Sequence, residues 1–186
     1  MGQTKQLLPL GGKTLFEHAL DNLLASRVDE VVVVTGNQAE TVATKVGERP
    51  VKVVMNPDYR LGMSTSLKRG LTSIDKDADA VMVVLADQPF IDAALINRLI
   101  DEFAGRNRGI VVPVFKGKRG HPIIFAIKYR EELLQLQGDA GAKALLERHS
   151  GDIMELAVAS EHIHVDIDDM ESYELQKNNL EKRQKK

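Results

Sequence analysis

Ala80-Val81-Met82-Val83-Val84-Leu85-Ala86-Asp87-Gln88-Pro89-Phe90 is the stretch that decides how this chain folds. Seven apolar residues run together, and then a carboxylate, an amide and a proline end the run. A strand that is apolar at every position, not every second one, suits burial on both faces of a parallel sheet. In open sheets of that kind, ligands sit outside the carboxyl ends of the strands. Asp87 stands at such an end. It can also serve as a helix cap, since Asp is favoured there, but Asp92 is better placed to cap a helix that holds Leu95, Ile96 and Leu99. Asp87 is thereby left without a structural task and leads the candidates for chemistry.

Similar runs flank this one. Val31 to Thr35, Val51 to Met55, Gly109 to Val114 and Pro122 to Ala126 read as strands, with Ile163 to Ile167 as a weaker last one. Helical patterns separate them. Thr14 is placed to cap a helix from Leu15 to Ala25, with Glu17 at capping-box spacing. Further helices are predicted over 38–46, 64–73, 92–104, 128–136, 141–149 and 170–180. The β-α-β-α order predicts an α/β fold with a doubly wound, mostly parallel sheet and helices on both faces. The first helix has no strand before it, so the sheet is expected to lack its opening strand. Residues 1–175 are read as one domain, and 176–186, ending Lys182-Arg183-Gln184-Lys185-Lys186, as a charged, solvated tail.

Composition narrows the function. The chain has 186 residues, 43% apolar and 28% charged, with 25 basic against 27 acidic side chains. A net charge of −2 implies no bulk pull toward nucleic acid or an anionic membrane. The absence of cysteine removes disulfides, thiolate metal sites and cysteine nucleophiles. No stretch approaches the roughly 18 apolar residues of a membrane span, and the first residues lack the apolar region of a signal peptide. A cytoplasmic protein is expected. P-loop, Rossmann glycine, nucleophile-elbow and zinc patterns are missing, and the five histidines have no metal-ligand spacing.

What is left is a short set of polar residues beside the strands. A hard oxygen ligand such as Asp87, with no His or Cys nearby, suits magnesium, which takes one or two protein carboxylates plus substrate phosphates. Asp166, Asp168 and Asp169 follow the last predicted strand and read equally as a second acidic group at the same sheet edge or as a solvated turn with a helix cap. The segment Asn56-Pro57-Asp58-Tyr59-Arg60-Leu61-Gly62-Met63-Ser64-Thr65-Ser66 leads from a strand into a helix, offering N–H groups to an anion or a base edge. His121, in Arg119-Gly120-His121-Pro122, is a substrate contact or a turn residue. Asp139, in Gly138-Asp139-Ala140-Gly141, is a substrate contact or a helix cap.

In order along the chain, these pieces resemble the MobA-like nucleotidyltransferases, and within them the molybdenum cofactor cytidylyltransferases. The matching residues are Met1-Gly2-Gln3-Thr4-Lys5-Gln6-Leu7-Leu8-Pro9, the Gly62 to Gly70 segment, Leu85-Ala86-Asp87-Gln88-Pro89, Gly120-His121-Pro122, Gly138-Asp139-Ala140-Gly141 and Asp166-Ile167-Asp168. The family begins with a strand and a loop of the form L-A-A-G-x-S-x-R-M-G that runs into K-Q-L-L-P; this sequence starts at the Met and Gly of that loop. The resemblance implies a Rossmann-like sheet of the nucleotide-diphospho-sugar transferase type. It implies that Gly2 and Lys5 contact phosphate, and that Asp87 binds Mg2+ with Asp168, or failing that Asp166, as second ligand. The family has Thr after that second Asp, where Asp169 stands here. Ser64 and Ser66 would lie near the cytosine or ribose, and His121 and Asp139 near the pterin.

The implied reaction joins CMP from CTP to the terminal phosphate of molybdopterin, releasing pyrophosphate. The rivals are guanylyl or other nucleotidyl transfer to a small phosphorylated metabolite, and a non-catalytic module delivering the cofactor to a molybdenum hydroxylase. No nucleic acid or membrane partner is implied.

Overall fold

In the computed structural model, which describes residues 5–105, 108–139, 142–165, 167, 172–175 and 177, the chain enters through a helical turn at Lys5–Leu7 and a hairpin of β1 (Pro9–Leu10) and β2 (Lys13–Thr14). Gly11 and Gly12 turn the hairpin with φ of 58° and 88°, the positive values that a two-residue connection needs. Thr14 then caps α1 (Leu15–Leu24). Its hydroxyl accepts from the Glu17 N–H at 3.2 Å, and the Glu17 carboxylate accepts in return from the Thr14 N–H at 2.8 Å.

The apolar runs from Val31 to Ala126 all form strands, with ends no more than three residues from those expected. They are β3 (Val32–Thr35), β4 (Lys52–Met55), β5 (Ala80–Val83), β6 (Ile110–Phe115) and β8 (Ile123–Ala126). Between and after them lie α2 (Ala39–Val46), α3 (Met63–Leu71), α4 (Ala93–Gly105), β7 (Lys118–Arg119), α5 (Arg130–Leu134), α6 (Lys143–Arg148) and β9 (Ile153–Ala157). The sheet is mixed. Parallel ladders join β3 to β4 and β6 to β9, while β8 runs antiparallel between β5 and β6. The cause is local. Residues 116–122 alone connect β6 to β8, and Lys116 and Gly117, with φ of 49° and 77°, turn the chain straight into β7. A parallel crossover needs a dozen residues or more, so the chain can only fold back.

Successive side chains of the central strands alternate between two core clusters, which assigns the helices to faces. Val81, Val83, Ile110, Val112, Ile123 and Phe125 point toward Leu67 and Leu71 of α3, Leu133 of α5 and Leu145 of α6. Met82, Val111 and Ile124 point the other way, toward Leu95, Leu99 and Phe103 of α4. Apolar residues at every strand position are thus explained by helices on both faces.

No ladder joins β3 to β5 among the described residues. Helices bridge the two sheets there. On one side Phe16 and Leu20 of α1 pack with Val33 and with Ala86 beyond β5. On the other, α3 packs Leu67 and Leu71 against Val81 and Val83, and its Gly70 lies so close to β3 that a Cβ would meet the Val34 methyl at 3.4 Å.

Three expectations change. Among the described residues Ile163 to Ile167 contains no strand: Glu161–His164 is a helical turn, capped by the Ser160 hydroxyl, which accepts from the His162 N–H at 3.2 Å. The strand that does lie beside β6 is β9, one segment earlier. The helices expected over 128–136 and 141–149 are shorter, the first opening as a helical turn at Ile127–Tyr129. Of the last helix, 172–175 is helical, and most of the rest lies outside the described residues. No described helix is long and apolar enough to cross a membrane.

The capping box at Thr14 fixes how the entry hairpin meets α1. Thr14→Ala should lower the unfolding free energy by about 0.5–2 kcal/mol in a urea titration; an unchanged midpoint would show that the box does not hold this end.

Candidate functional site

Asp87 is held at its position from three directions. The turn after β5 begins with the Gln88 N–H donating to the Leu85 carbonyl at 3.3 Å. Asn22 of α1 donates its amide to the Pro89 carbonyl at 3.1 Å. Ile167, fully buried with Leu8, Leu10, Leu15 and Tyr173, donates its N–H to the Asp87 carbonyl at 3.4 Å. Asp92 caps α4 as expected, accepting from the Leu95 N–H at 2.8 Å, which leaves the Asp87 side chain to the site.

Lys5 meets it there. Its ammonium lies 3.3 Å from the Asp87 carboxylate, with the Asp87 side chain 16% and the Lys5 side chain 32% exposed. Lys5 owes its place to the apolar residues that follow it: Leu8 donates its N–H to the Lys5 carbonyl at 2.9 Å, and Leu8 and Leu10 anchor the segment in the cluster around Ile167. The two residues expected to face phosphate and metal are therefore side by side. Asp166 and Asp168, expected as the second ligand, and Gly2 lie outside the described residues; Ile167, between the two acids in sequence, is bonded to Asp87 itself.

The carbonyl of Ile163 ties a further segment to this turn. It accepts from the Gln88 side-chain amide at 3.4 Å and from the His121 N–H at 3.3 Å. Gly120 is required by that approach, since a Cβ on it would lie 2.4 Å from the Ile163 oxygen. His121 is thus brought beside the Asp87 turn through its backbone.

A second group forms where β4 leads into α3. Asn56, 1% exposed, donates its amide to Thr65 Oγ1 at 2.9 Å and to Ser66 Oγ at 3.0 Å, and accepts from the Asp58 N–H at 3.0 Å. Ser64 is buried at 3% exposure. The N–H groups at the start of α3 are already satisfied: Met63 donates to the Asp139 carboxylate at 2.9 Å, Ser64 to the Gly138 carbonyl at 3.1 Å and Thr65 to the Gly62 carbonyl at 3.1 Å. The helix end offered in the sequence to an anion is closed by the protein itself. Asp139 does cap a helix, but one far from it in sequence.

Sequence reasoning passed over Asn56, although an Asn-Pro pair after a strand marks a structured turn. It also missed the Ile163 carbonyl, for which a sequence carries no signal. No group of three His, Asp or Glu able to hold a metal occurs among the described residues. The Asp87 carboxylate is a hard oxygen donor of the kind that binds a cation whose shell is completed by water and substrate phosphates.

The model of the MobA-like NTP transferase domain matches residues 1–153. Nicotine blue oxidoreductase of Paenarthrobacter nicotinovorans is 28% identical over 173 residues, covering 90% of this chain and 84% of that protein. Molybdenum cofactor cytidylyltransferase of Escherichia coli K12 is 23% identical over 169 residues, again covering 90% and 84%. Among solved structures, the manganese complex of Rv0371c from Mycobacterium tuberculosis H37Rv superposes with a TM-score of 0.83 at 29% identity, covering 95% of this chain and 93% of that one.

Asn56 organises the turn before α3 through three hydrogen bonds. Asn56→Ala should cost about 1–3 kcal/mol of stability and speed amide exchange at Asp58; protection equal to wild type would mean that the turn is held by other contacts.

Proposed function

Because the chain belongs to the MobA-like NTP transferase family, we propose that it transfers CMP from CTP to the terminal phosphate of molybdopterin and releases pyrophosphate. The observation that carries this reading is the Lys5–Asp87 pair at the end of β5. The name of the Escherichia coli relative supports the choice of base and acceptor, as do the residues matched above.

In this reading an oxygen of the acceptor phosphate attacks the α-phosphorus of CTP. The new P–O bond forms as the bond to the β-phosphate oxygen breaks, and pyrophosphate carries away the electron pair. The acceptor is already an anion, so no strong general base is called for. The difficulty is charge: a triphosphate and a fourth phosphate must come together. Lys5 offers an ammonium beside the leaving phosphates, in a site partly shielded from water where such a charge acts strongly. Asp87, with Asp168 or Asp166, would hold a divalent cation, Mg2+ in this proposal, whose chemistry is to neutralise phosphate charge. The manganese in the Rv0371c complex is in keeping with a divalent ion. The Gly62 to Ser66 turn would face the nucleoside, its shape set by Asn56, while His121 would stand on the acceptor side.

Pyrophosphate release with each of the four NTPs, with and without molybdopterin, tests the assignment. CTP with molybdopterin should turn over. Preference for GTP, or for a sugar phosphate as acceptor, would replace the substrates and keep the reaction class. Molybdopterin binding indifferent to Mg2+ and CTP would point to a delivery module instead. The relative named as an oxidoreductase adds one more outcome, turnover without pyrophosphate. Asp87→Ala should lower the rate by at least about 100-fold with an unchanged melting temperature, because a ligand at a strand end supports little core. Wild-type turnover by that variant would sink the mechanism.

A further inference from the structure

A helix is ordinarily capped by the residue just before it, yet the residue before α3 is Gly62, which has no side chain to do so. The cap comes from 76 residues further along the chain: Asp139 accepts the Met63 N–H at 2.9 Å. Beside it the Ser64 N–H donates to the Gly138 carbonyl at 3.1 Å. The two segments also touch backbone to backbone. A Cβ on Gly62 would lie 2.5 Å from the Gly138 carbonyl carbon and 2.9 Å from the Asp139 carboxylate. Gly62 adopts φ of 109° and Gly138 φ of 60°, conformations that favour glycine on both sides of the contact.

We propose that Asp139 is a positioning residue that latches the Gly62–Ser66 turn to the 138–139 loop, so that it sets nucleotide affinity through α3 and does not itself touch the acceptor. This rests on the reading that the Gly62–Ser66 turn faces an NTP. The carboxylate is suited to the task in two ways. It accepts the first free N–H of the helix, and its negative charge complements the positive end of the helix. By filling that end it also denies it to the triphosphate, which directs the phosphates toward Lys5. The turn it holds is the one that Asn56 shapes from the other side, through Thr65 and Ser66, so nucleotide contacts made there depend on both. Since binding free energies at linked sites are reciprocal, anything that displaces the 138–139 loop weakens the nucleotide, and bound nucleotide holds the loop in place.

The test needs no acceptor. CTP binding in the presence of Mn2+ is measured by calorimetry for the wild-type protein, Asp139→Ala and Asp139→Asn, together with backbone amide exchange at Met63 and Ser64. Asp139→Ala should weaken CTP about five- to tenfold, the low end of ordinary coupling between linked sites, and should speed exchange at Met63. Asp139→Asn keeps the accepting oxygen and should restore both. In turnover, Asp139→Ala should raise KM for CTP with kcat within about twofold, the pattern of lost binding that is uniform along the reaction. Gly62→Ala, which leaves the carboxylate intact but forces the two backbones apart, should reproduce the loss. Unchanged CTP affinity in Asp139→Ala, or a rise confined to KM for the acceptor, overturns the proposal. If the wild-type protein binds no nucleotide, the reading of the function fails first; Met63 exchange in Asp139→Ala then decides the latch separately, and exchange equal to wild type overturns it.

Discussion

An ammonium and a carboxylate 3.3 Å apart, at the end of a buried strand, are the contact around which this structure is arranged. Partly exposed pairs of this kind contribute about 0–1 kcal/mol to folding, so stability does not account for the effort spent on holding it. Asp87 is fixed by α1 through Asn22 and by the chain near its end through Ile167, and Lys5 by the leucines that follow it. Segments from the beginning, middle and end of the sequence converge on two opposite charges. In the proposed function the carboxylate takes a cation and the ammonium meets phosphate.

The surrounding fold follows from where the polar groups must go. Central strands that are apolar at every position demand helices on both faces, and α3, α5 and α6 on one side and α4 on the other supply them. With both faces of the central strands covered, the strand ends offer places for polar side chains. Asp87 occupies one and Asn56 another. Between β3 and β5, where no ladder forms among the described residues, α1 and α3 carry the connection through side-chain packing. α3 therefore has two tasks. It closes the core over β3 and β5, and its first turn, fixed by Asn56 and Asp139, forms the rim of the second polar group.

Much of this was legible in the sequence because it is local. The strands from Val31 to Ala126 announced themselves by composition, the Thr14 capping box by spacing, and Asp92 as the better cap freed Asp87 for the site. What was not legible depends on distant partners. Ile163 and Ile167 looked like a strand because apolar residues alternate there, but Ile163 packs on α4 and α1 and Ile167 on the entry hairpin and α1, and Ser160 caps a helical turn over Glu161–His164. β9 was missed because Ile153-Met154-Glu155-Leu156-Ala157 carries a charge at its centre, and only its pairing with β6 makes a strand of it. Ser64 and Ser66 read as residues near a cytosine or ribose; that Ser64 is buried and Ser66 bonded to Asn56 is a tertiary fact no spacing carries. Asp139 read as a contact to substrate or a cap for the next helix; its partner, the Met63 N–H, lies too far away in sequence for any spacing rule to reveal.

The central claim is that Asp87 gives up Lys5 for a divalent cation when nucleotide arrives. Crystals grown with Mn2+ and CTP, with diffraction recorded at the manganese edge, test it most directly. The account predicts an anomalous peak within coordination distance of the Asp87 carboxylate, with the Lys5 ammonium moved onto phosphate oxygen. Manganese and CTP bound elsewhere, with Lys5 still paired to Asp87, would contradict it.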